Sequence, residues 1–156
     1  MRQLPIFTND QLASAIVPRL ALAFRSGMSR SKDFWAAAEA GVPIGVVAGE
    51  LGFALRLIGI PRYLKAGGHL FIDSGAFAEI RTGVAPNFEE VMGLYESICD
   101  AADSYNFNLS QLSVVAPDKV GDQLATLERL RLYANRLRAM MDAGCMVIVP
   151  IQRGVM

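Results

Sequence analysis

The sequence is poor in histidine, in cysteine and in net charge. Its 156 residues include one histidine and two cysteines, and the 15 basic side chains balance the 15 acidic ones. A net charge of zero provides no overall field that would attract nucleic acid or an anionic membrane. Without a histidine placed near a serine or cysteine, a nucleophilic triad has no support. The composition therefore excludes a polycationic protein and offers no hydrolase signature.

Long apolar runs are missing as well. No stretch without charged residues reaches the roughly 18 residues that indicate a membrane-spanning helix, and Pro5, Asn9 and Asp10 interrupt any signal-peptide core. Cys99 and Cys145 lie far apart without metal-type spacing, which indicates two reduced, buried thiols. With 53% apolar residues, the chain has the composition of a folded protein. We expect a cytoplasmic protein with a single domain over residues 1–156.

Short apolar runs alternate with helical patterns along most of the chain. A run that ends in a turn or a proline predicts a buried strand, and apolar residues at intervals of three and four predict a helix. Asn87, with Glu90 three residues later, predicts a helix start. The predicted strands are 42–47, 69–73, 112–117 and 145–151. The predicted helices run from Ser29 or Ser31 to Ala40, from Glu50 to Ile60 with Pro61 ending it, from Asn87 onward, and over 121–143.

This alternation predicts an α/β fold with a parallel sheet covered by helices, and it is clearest over residues 69–151. Right-handed crossovers bring the C-terminal ends of parallel strands to one edge of the sheet. Ligands bind at that edge, both in open sheets and in closed barrels. Residues that directly follow the strands are therefore the first candidates for a site.

Three polar residues stand at these strand ends: Asp73, Asp118 and Gln152. Each has a purely structural alternative. Asp73 could shape the turn at 74–75, Asp118 could cap the helix that follows it, and Gln152 could be an exposed loop residue. Their joint occurrence after three successive strands favours a shared site.

The chemistry of these groups suits a guanine-like base. A carboxylate accepts two parallel hydrogen bonds, and the edge of guanine presents a ring N–H beside an exocyclic amine. A glutamine amide and a backbone N–H can donate to the adjacent carbonyl. We expect Asp118, Gln152 and the Gly154 amide to read a guanine or a 7-deazaguanine. Phe77 would line the pocket, and Asp73 would act as a general base or as a second recognition carboxylate.

The three strand-end segments resemble the motifs of a known family. Asp-Ser-Gly-Ala-Phe at 73–77, Ala-Pro-Asp at 116–118 and Val-Pro-Ile-Gln-Arg-Gly at 149–154 are similar to successive motifs of tRNA-guanine transglycosylases. They are also similar to those of the related enzymes that insert 7-deazaguanines into DNA. The resemblance implies a transferase (a pentosyltransferase) that exchanges a base in DNA or tRNA. It further implies an acid/base role for Asp73, and a base-binding role for Ser74, Phe77, Asp118, Gln152 and Gly154.

The chain departs from this family in sequence and in length. Pro117 precedes Asp118, and Arg153 stands where the tRNA enzymes have glycine. The family fold is a (β/α)8 TIM barrel, which typically needs about 250 residues. Its nucleophilic aspartate and its cysteine-rich zinc site come later than the position of Gly154. We therefore expect the N-terminal half of a barrel, with neither nucleophile nor zinc or other cofactor in this chain.

The resemblance also implies partners. They are a guanine or 7-deazaguanine base, a DNA or tRNA and, because a half-barrel has open strand edges, a second copy or a complementary chain. Two other functions stay open: a non-catalytic α/β interaction module or remnant, and a small flavodoxin-like domain that binds another ligand. We expect the arginines of the helix at 121–143 to form a solvated outer face rather than a phosphate-binding stripe: Arg129, Arg131, Arg136 and Arg138.

Overall fold

Four parallel strands form one sheet in the computed structural model, which describes residues 22–152. Their order across the sheet is the order along the chain, and helices alternate with them. The predicted α/β class is thus confirmed. The strands are β1 (Ile44–Val47), β2 (Leu70–Asp73), β3 (Leu112–Val115) and β4 (Met146–Ile148).

The strand order distinguishes a barrel-type sheet from a doubly wound one. Right-handed crossovers between neighbouring strands in chain order place every connecting helix on the same face, as in a (β/α) barrel. A flavodoxin-like sheet has the order 2-1-3-4-5 and carries helices on both faces. Within residues 22–152 the order is β1-β2-β3-β4, so the flavodoxin-like alternative is wrong and the sheet is half-barrel-like.

Side-chain capping is predicted at two helix starts, and the structure has it at one of them. Asn87 accepts a hydrogen bond from the Glu90 amide at 3.4 Å, as predicted. Ser29 or Ser31 is the predicted cap of the first helix, but the N-cap is Arg30, without a side-chain hydrogen bond, and Ser29 instead accepts from the Val47 amide at 3.0 Å. The helices are α1 (Ser31–Glu39), α2 (Ile60–Lys65), α3 (Phe77–Thr82), α4 (Phe88–Tyr105) and α5 (Gln123–Asp142).

Pro61 lies inside a continuous helical segment, although the sequence pattern predicts that a helix ends there. A π-helical segment (Leu55–Gly59) leads directly into α2, and Pro61 occupies the first turn of that α-helix. Proline is tolerated there because an N–H in the first turn has no partner within the helix. The change from π to α geometry therefore allows the chain to continue through the proline.

One face of the sheet forms the core with the helices. The residues of β1, β2 and β3 on this face are at most 1% exposed, and they pack against aromatic and aliphatic side chains of the helices such as Phe34, Leu64 and Tyr95. The Tyr95 hydroxyl donates to the Val115 carbonyl at 3.0 Å, so α4 is also held to the end of β3. The strand residues of this face are Ile44, Val46, Leu70, Ile72, Leu112, Val114 and the partly buried Val147 of β4.

The alternate strand residues form the opposite face, which we call the open face. Because successive side chains of a strand point to opposite sides, this face comprises Gly45, Val47, Phe71, Asp73, Ser113, Val115, Met146 and Ile148. Phe24 covers part of it, with its ring 5.8 Å from that of Phe71. In the described part of the chain, β4 has a paired neighbour on one side only, β3. In a complete barrel this face would line the interior.

No helix between residues 22 and 152 combines the length and the apolar character that a membrane crossing requires. The longest, α5, has 20 residues but carries four arginines and its buried side chains are few: Thr126, Tyr133, Leu137 and Met140.

Gly68 lets the chain pass close to a fixed aromatic ring, and this contact yields a test of the fold. A Cβ at Gly68 would lie 2.3 Å from Cζ of Tyr63. The Tyr63 ring cannot give way easily because its hydroxyl donates to the carbonyls of Val42 (3.0 Å) and His69 (3.2 Å). We expect Gly68→Ala to lower the free energy of unfolding by about 1–3 kcal/mol, measured by urea denaturation.

Gly93, inside α4, provides the matched control, since a Cβ there meets nothing within 4 Å. Gly93→Ala should raise the free energy of unfolding by about 0.5–1 kcal/mol because alanine favours the helix. Equal effects of the two substitutions would contradict the packing described for Tyr63.

Candidate functional site

The ends of β2, β3 and β4 meet at a buried carboxylate. Asp118, which follows β3, is 4% exposed. Its Oδ1 accepts a hydrogen bond from Ser74 Oγ at 3.4 Å, and its Oδ2 accepts one from Gln152 Nε2 at 2.8 Å. Ser74 and Gln152, two of the predicted base-binding residues, thus both contact Asp118, whereas Asp73, the third predicted strand-end residue, hydrogen-bonds to the Gly75 amide.

A tight loop between β3 and α5 positions Asp118. The Asp122 amide donates to the Lys119 carbonyl at 3.1 Å, and Gly121 adopts a left-handed conformation with φ of 79°. Thr126, 3% exposed, accepts from the Lys119 amide at 3.0 Å. Asp122 is the cap of α5, accepting from the Ala125 amide at 3.0 Å. The helix-capping alternative for Asp118 is therefore wrong, and its carboxylate is left to face the other strand ends.

Gln152 bridges two groups of this loop. Besides donating to Asp118, its carboxamide accepts at Oε1 from the Gly121 amide at 2.9 Å. Both ends of the carboxamide are therefore engaged. The reading of Gln152 as an exposed loop residue is wrong, because its side chain is partly buried and connects the end of β4 to the β3–α5 loop.

Asp73 has the structural role that its sequence context suggested. Its Oδ1 accepts from the Gly75 amide at 2.7 Å, which shapes the turn after β2. It also lies on the open face, in register with Val47 of β1. Its charge acts on Asp118, so the two carboxylates belong to one electrostatic site.

Burial raises the pKa of Asp118 above the usual value for aspartate, and the negative charge of Asp73 adds to this. Hydrogen bonds from Ser74 and Gln152 and the positive charge of Arg129 act in the opposite direction but do not cancel the increase. The ionised carboxylate is therefore less stable than that of an exposed aspartate. A ligand that offers it further N–H donors would relieve this cost.

Arg129 is part of the site, although its sequence position suggested a solvated helix face. Its guanidinium donates to the backbone carbonyl of Asp118 and, through two N–H groups, to Glu79 of α3 at 3.0 Å. It also lies 4.9 Å from the centre of the Phe88 ring, and its side chain is 19% exposed. The expectation for Arg129 was thus wrong. Helical spacing could not reveal its partner, because Glu79 lies 50 residues away in sequence.

One further predicted residue, Phe77, is not brought into this cluster. Phe77 is 69% exposed at the start of α3. It does not line the adjacent pocket of about 220 Å³, whose walls are Ala76, Glu79, Ile80, Gly83, Lys119 and Val120. A base-binding role for Phe77 stays a prediction. Gly154 lies outside the described residues. Over the same described range, no three His, Cys, Asp or Glu side chains cluster as metal ligands would.

Comparison with family models, with curated proteins and with solved structures found no match to this chain. The similarity to transglycosylases therefore stays a prediction that rests on the strand-end motifs. The fold and the geometry around Asp118 rest on the chain's own residues.

Arg129 should contribute to stability because it joins α3, α5 and the loop that carries Asp118. We expect Arg129→Ala to lower the free energy of unfolding by about 1–3 kcal/mol, since it removes the donor of a backbone carbonyl and leaves the partly buried Glu79 with Lys119 at 3.8 Å as its cationic partner. Arg138→Ala, on an exposed position of the same helix, should change it by less than about 0.5 kcal/mol. Urea denaturation of both variants measures this difference, and similar values would contradict the role of Arg129.

Proposed function

We propose that this chain recognises a guanine or 7-deazaguanine base at the edge where β2, β3 and β4 end. The observation that carries the proposal is the buried carboxylate of Asp118, 4% exposed and surrounded by groups from all three strand ends. Barrel-type sheets bind their ligands at this edge. A buried carboxylate with a raised pKa at such an edge is typical of a functional site.

The hydrogen-bonding capacity of Asp118 supports a base with adjacent N–H groups. Each carboxylate oxygen can accept more than one hydrogen bond, and in the structure one donor to each oxygen comes from Ser74 and Gln152. The ring N–H and the exocyclic amine of guanine form a parallel pair of donors that matches a carboxylate. Ile148, partly exposed on the open face and in register with Val115, provides an apolar surface for a planar ring.

The role that we assign to this chain is the recognition part of a base exchange in DNA or tRNA. Asp73 would take or supply the proton on the base nitrogen, with the Gly75 amide holding its carboxylate in place. The nucleophile that attacks the sugar would come from outside the described residues, from another segment or from a partner.

Both cysteines are free, which suits a reducing compartment such as the cytoplasm.

Titration calorimetry with 7-cyano-7-deazaguanine tests the proposal. Asp118→Asn keeps the size of the side chain but replaces one acceptor oxygen by a donor, which would face the N–H groups of the base. We expect binding to weaken by at least about tenfold, because hydrogen bonds to a charged partner contribute about 1.5–3 kcal/mol. Asp103→Asn, at an exposed position of α4, is the matched control and should bind like the wild type.

Equal affinities for the wild type and Asp118→Asn would contradict the proposed site. So would the absence of binding by a wild-type protein whose circular dichroism and unfolding transition show that it is folded.

The open face favours a second function, that of an interaction module. Met146 is 44% exposed on β4, which within residues 22–152 pairs with β3 alone, and an exposed strand edge with apolar side chains tends to pair with another chain. We propose a second copy of this chain as the first partner to test. Met146 is not among the groups that hydrogen-bond to Asp118, so self-association and base recognition can be tested separately.

Size-exclusion chromatography with light scattering tests self-association over a range of protein concentrations. We expect a dimer, and we expect Met146→Lys to shift it to monomer because a lysine on a strand edge opposes pairing. Met141→Lys, at an exposed position of α5 (55% exposed), should leave the dimer intact. A wild-type protein that stays monomeric at every concentration would exclude a second copy as the partner.

A further inference from the structure

The carboxamide of Gln152 presents the same hydrogen-bonding groups as the lactam edge of guanine. In both, an N–H donor and a carbonyl acceptor are attached to one carbon atom. The Gln152 donor reaches Asp118 Oδ2 at 2.8 Å, and the Gln152 acceptor receives the Gly121 amide at 2.9 Å. Asp118 and Gly121 together therefore form a receptor for an H–N–C=O edge, and in this structure the protein fills that receptor with its own side chain.

We propose that Gln152 is an internal surrogate for the base and that it must leave Asp118 and Gly121 before a base can bind there. This inference rests on the proposed recognition of a guanine-type base. It differs from the expectation that Gln152 itself reads the base. It also assigns a reading role to the backbone amide of Gly121, which no feature of the sequence indicated.

The receptor groups are held firmly. The carboxylate of Asp118 contacts Ser74, and its backbone carbonyl accepts from Arg129. The loop that presents the Gly121 amide is closed by hydrogen bonds of Asp122 and Thr126. Because these contacts do not involve Gln152, the receptor would persist when the carboxamide leaves.

Gln152 is held much less firmly than the receptor. Strand β4 ends at Ile148, and two of the three residues between it and Gln152 are poorly packed: Val149 is 49% exposed and Ile151 is 95% exposed. Segments with few buried contacts open at low free-energy cost. Displacement of the carboxamide therefore requires movement of this short segment and leaves the sheet intact.

This arrangement has a consequence for affinity and one for selectivity. The apparent affinity is reduced by the fraction of molecules in which the receptor is empty, so Gln152 weakens binding. A ligand must also replace both hydrogen bonds of the carboxamide, because otherwise a buried carboxylate loses a donor. The site would therefore select bases that carry a donor and an acceptor on neighbouring atoms.

Calorimetry with 7-cyano-7-deazaguanine tests the surrogate role directly. We expect Gln152→Ala to bind about tenfold more tightly than the wild type, as it would if the receptor is empty in about one molecule in ten. Gln123→Ala removes the same side chain at an exposed position, the first residue of α5, and should leave the affinity unchanged.

A second variant, Gln152→Glu, keeps the proposal testable if Gln152→Ala does not fold. Gln152→Glu keeps the length of the side chain but replaces its donor by a carboxylate, which Asp118 repels above neutral pH. It should also bind more tightly than the wild type. Circular dichroism and thermal unfolding of each variant establish that the comparison is made on folded protein.

The possible results separate this inference from the function on which it rests. Tighter binding by both Gln152 variants, lost again when Asp118→Asn is added, supports the surrogate role. Unchanged or weaker binding by the Gln152 variants, with the wild type still dependent on Asp118, overturns the surrogate role and leaves base recognition standing. No binding by any of the folded proteins overturns both.

Discussion

The buried negative charge of Asp118 is the constraint on which the arrangement of the C-terminal strand ends depends. A carboxylate removed from water is costly unless donors replace its hydration, and here they come from elements that are distant in sequence. Ser74 follows β2 and Gln152 follows β4, while Arg129 of α5 holds the backbone carbonyl of the same residue. Satisfying one charge thus ties three strand ends and a helix together.

The order of the strands explains why this charge lies at the edge of the sheet where parallel α/β folds bind ligands. Strands in sequential order, joined by crossovers of one hand, place the helices on one face and leave the other open. The covered face contains the residues that are at most 1% exposed and accounts for most of the core. The open face and its C-terminal edge are left for binding. Stability and recognition are therefore separated in space, with Arg129 and Tyr95 connecting the two.

Much of the fold and part of the site could be predicted from local patterns. The apolar runs located all four strands, and Asn87 with Glu90 located the start of α4. The contact between Asp118 and Gln152 followed from placing strand ends on one edge. Pro61 was misread because its effect depends on the π-helical segment before it. The pair of Arg129 with Glu79, and the bond from Gly121 to Gln152, join residues 50 and 31 positions apart, which no helical or strand period relates.

The amino-acid sequence by itself determined which segments become the four strands and the helices α1, α4 and α5, and that polar residues stand at the ends of three strands. Hydrophobic periodicity and turn residues act over a few neighbouring positions, so a local pattern contains this information. Only the tertiary structure decided what those polar residues do. In the folded protein Asp73 shapes a turn, Asp118 is buried, and Gln152 hydrogen-bonds to both Asp118 and Gly121. The physical reason is that burial and hydrogen-bond partners depend on which distant segments the packing brings together, and a one-dimensional pattern does not contain that information.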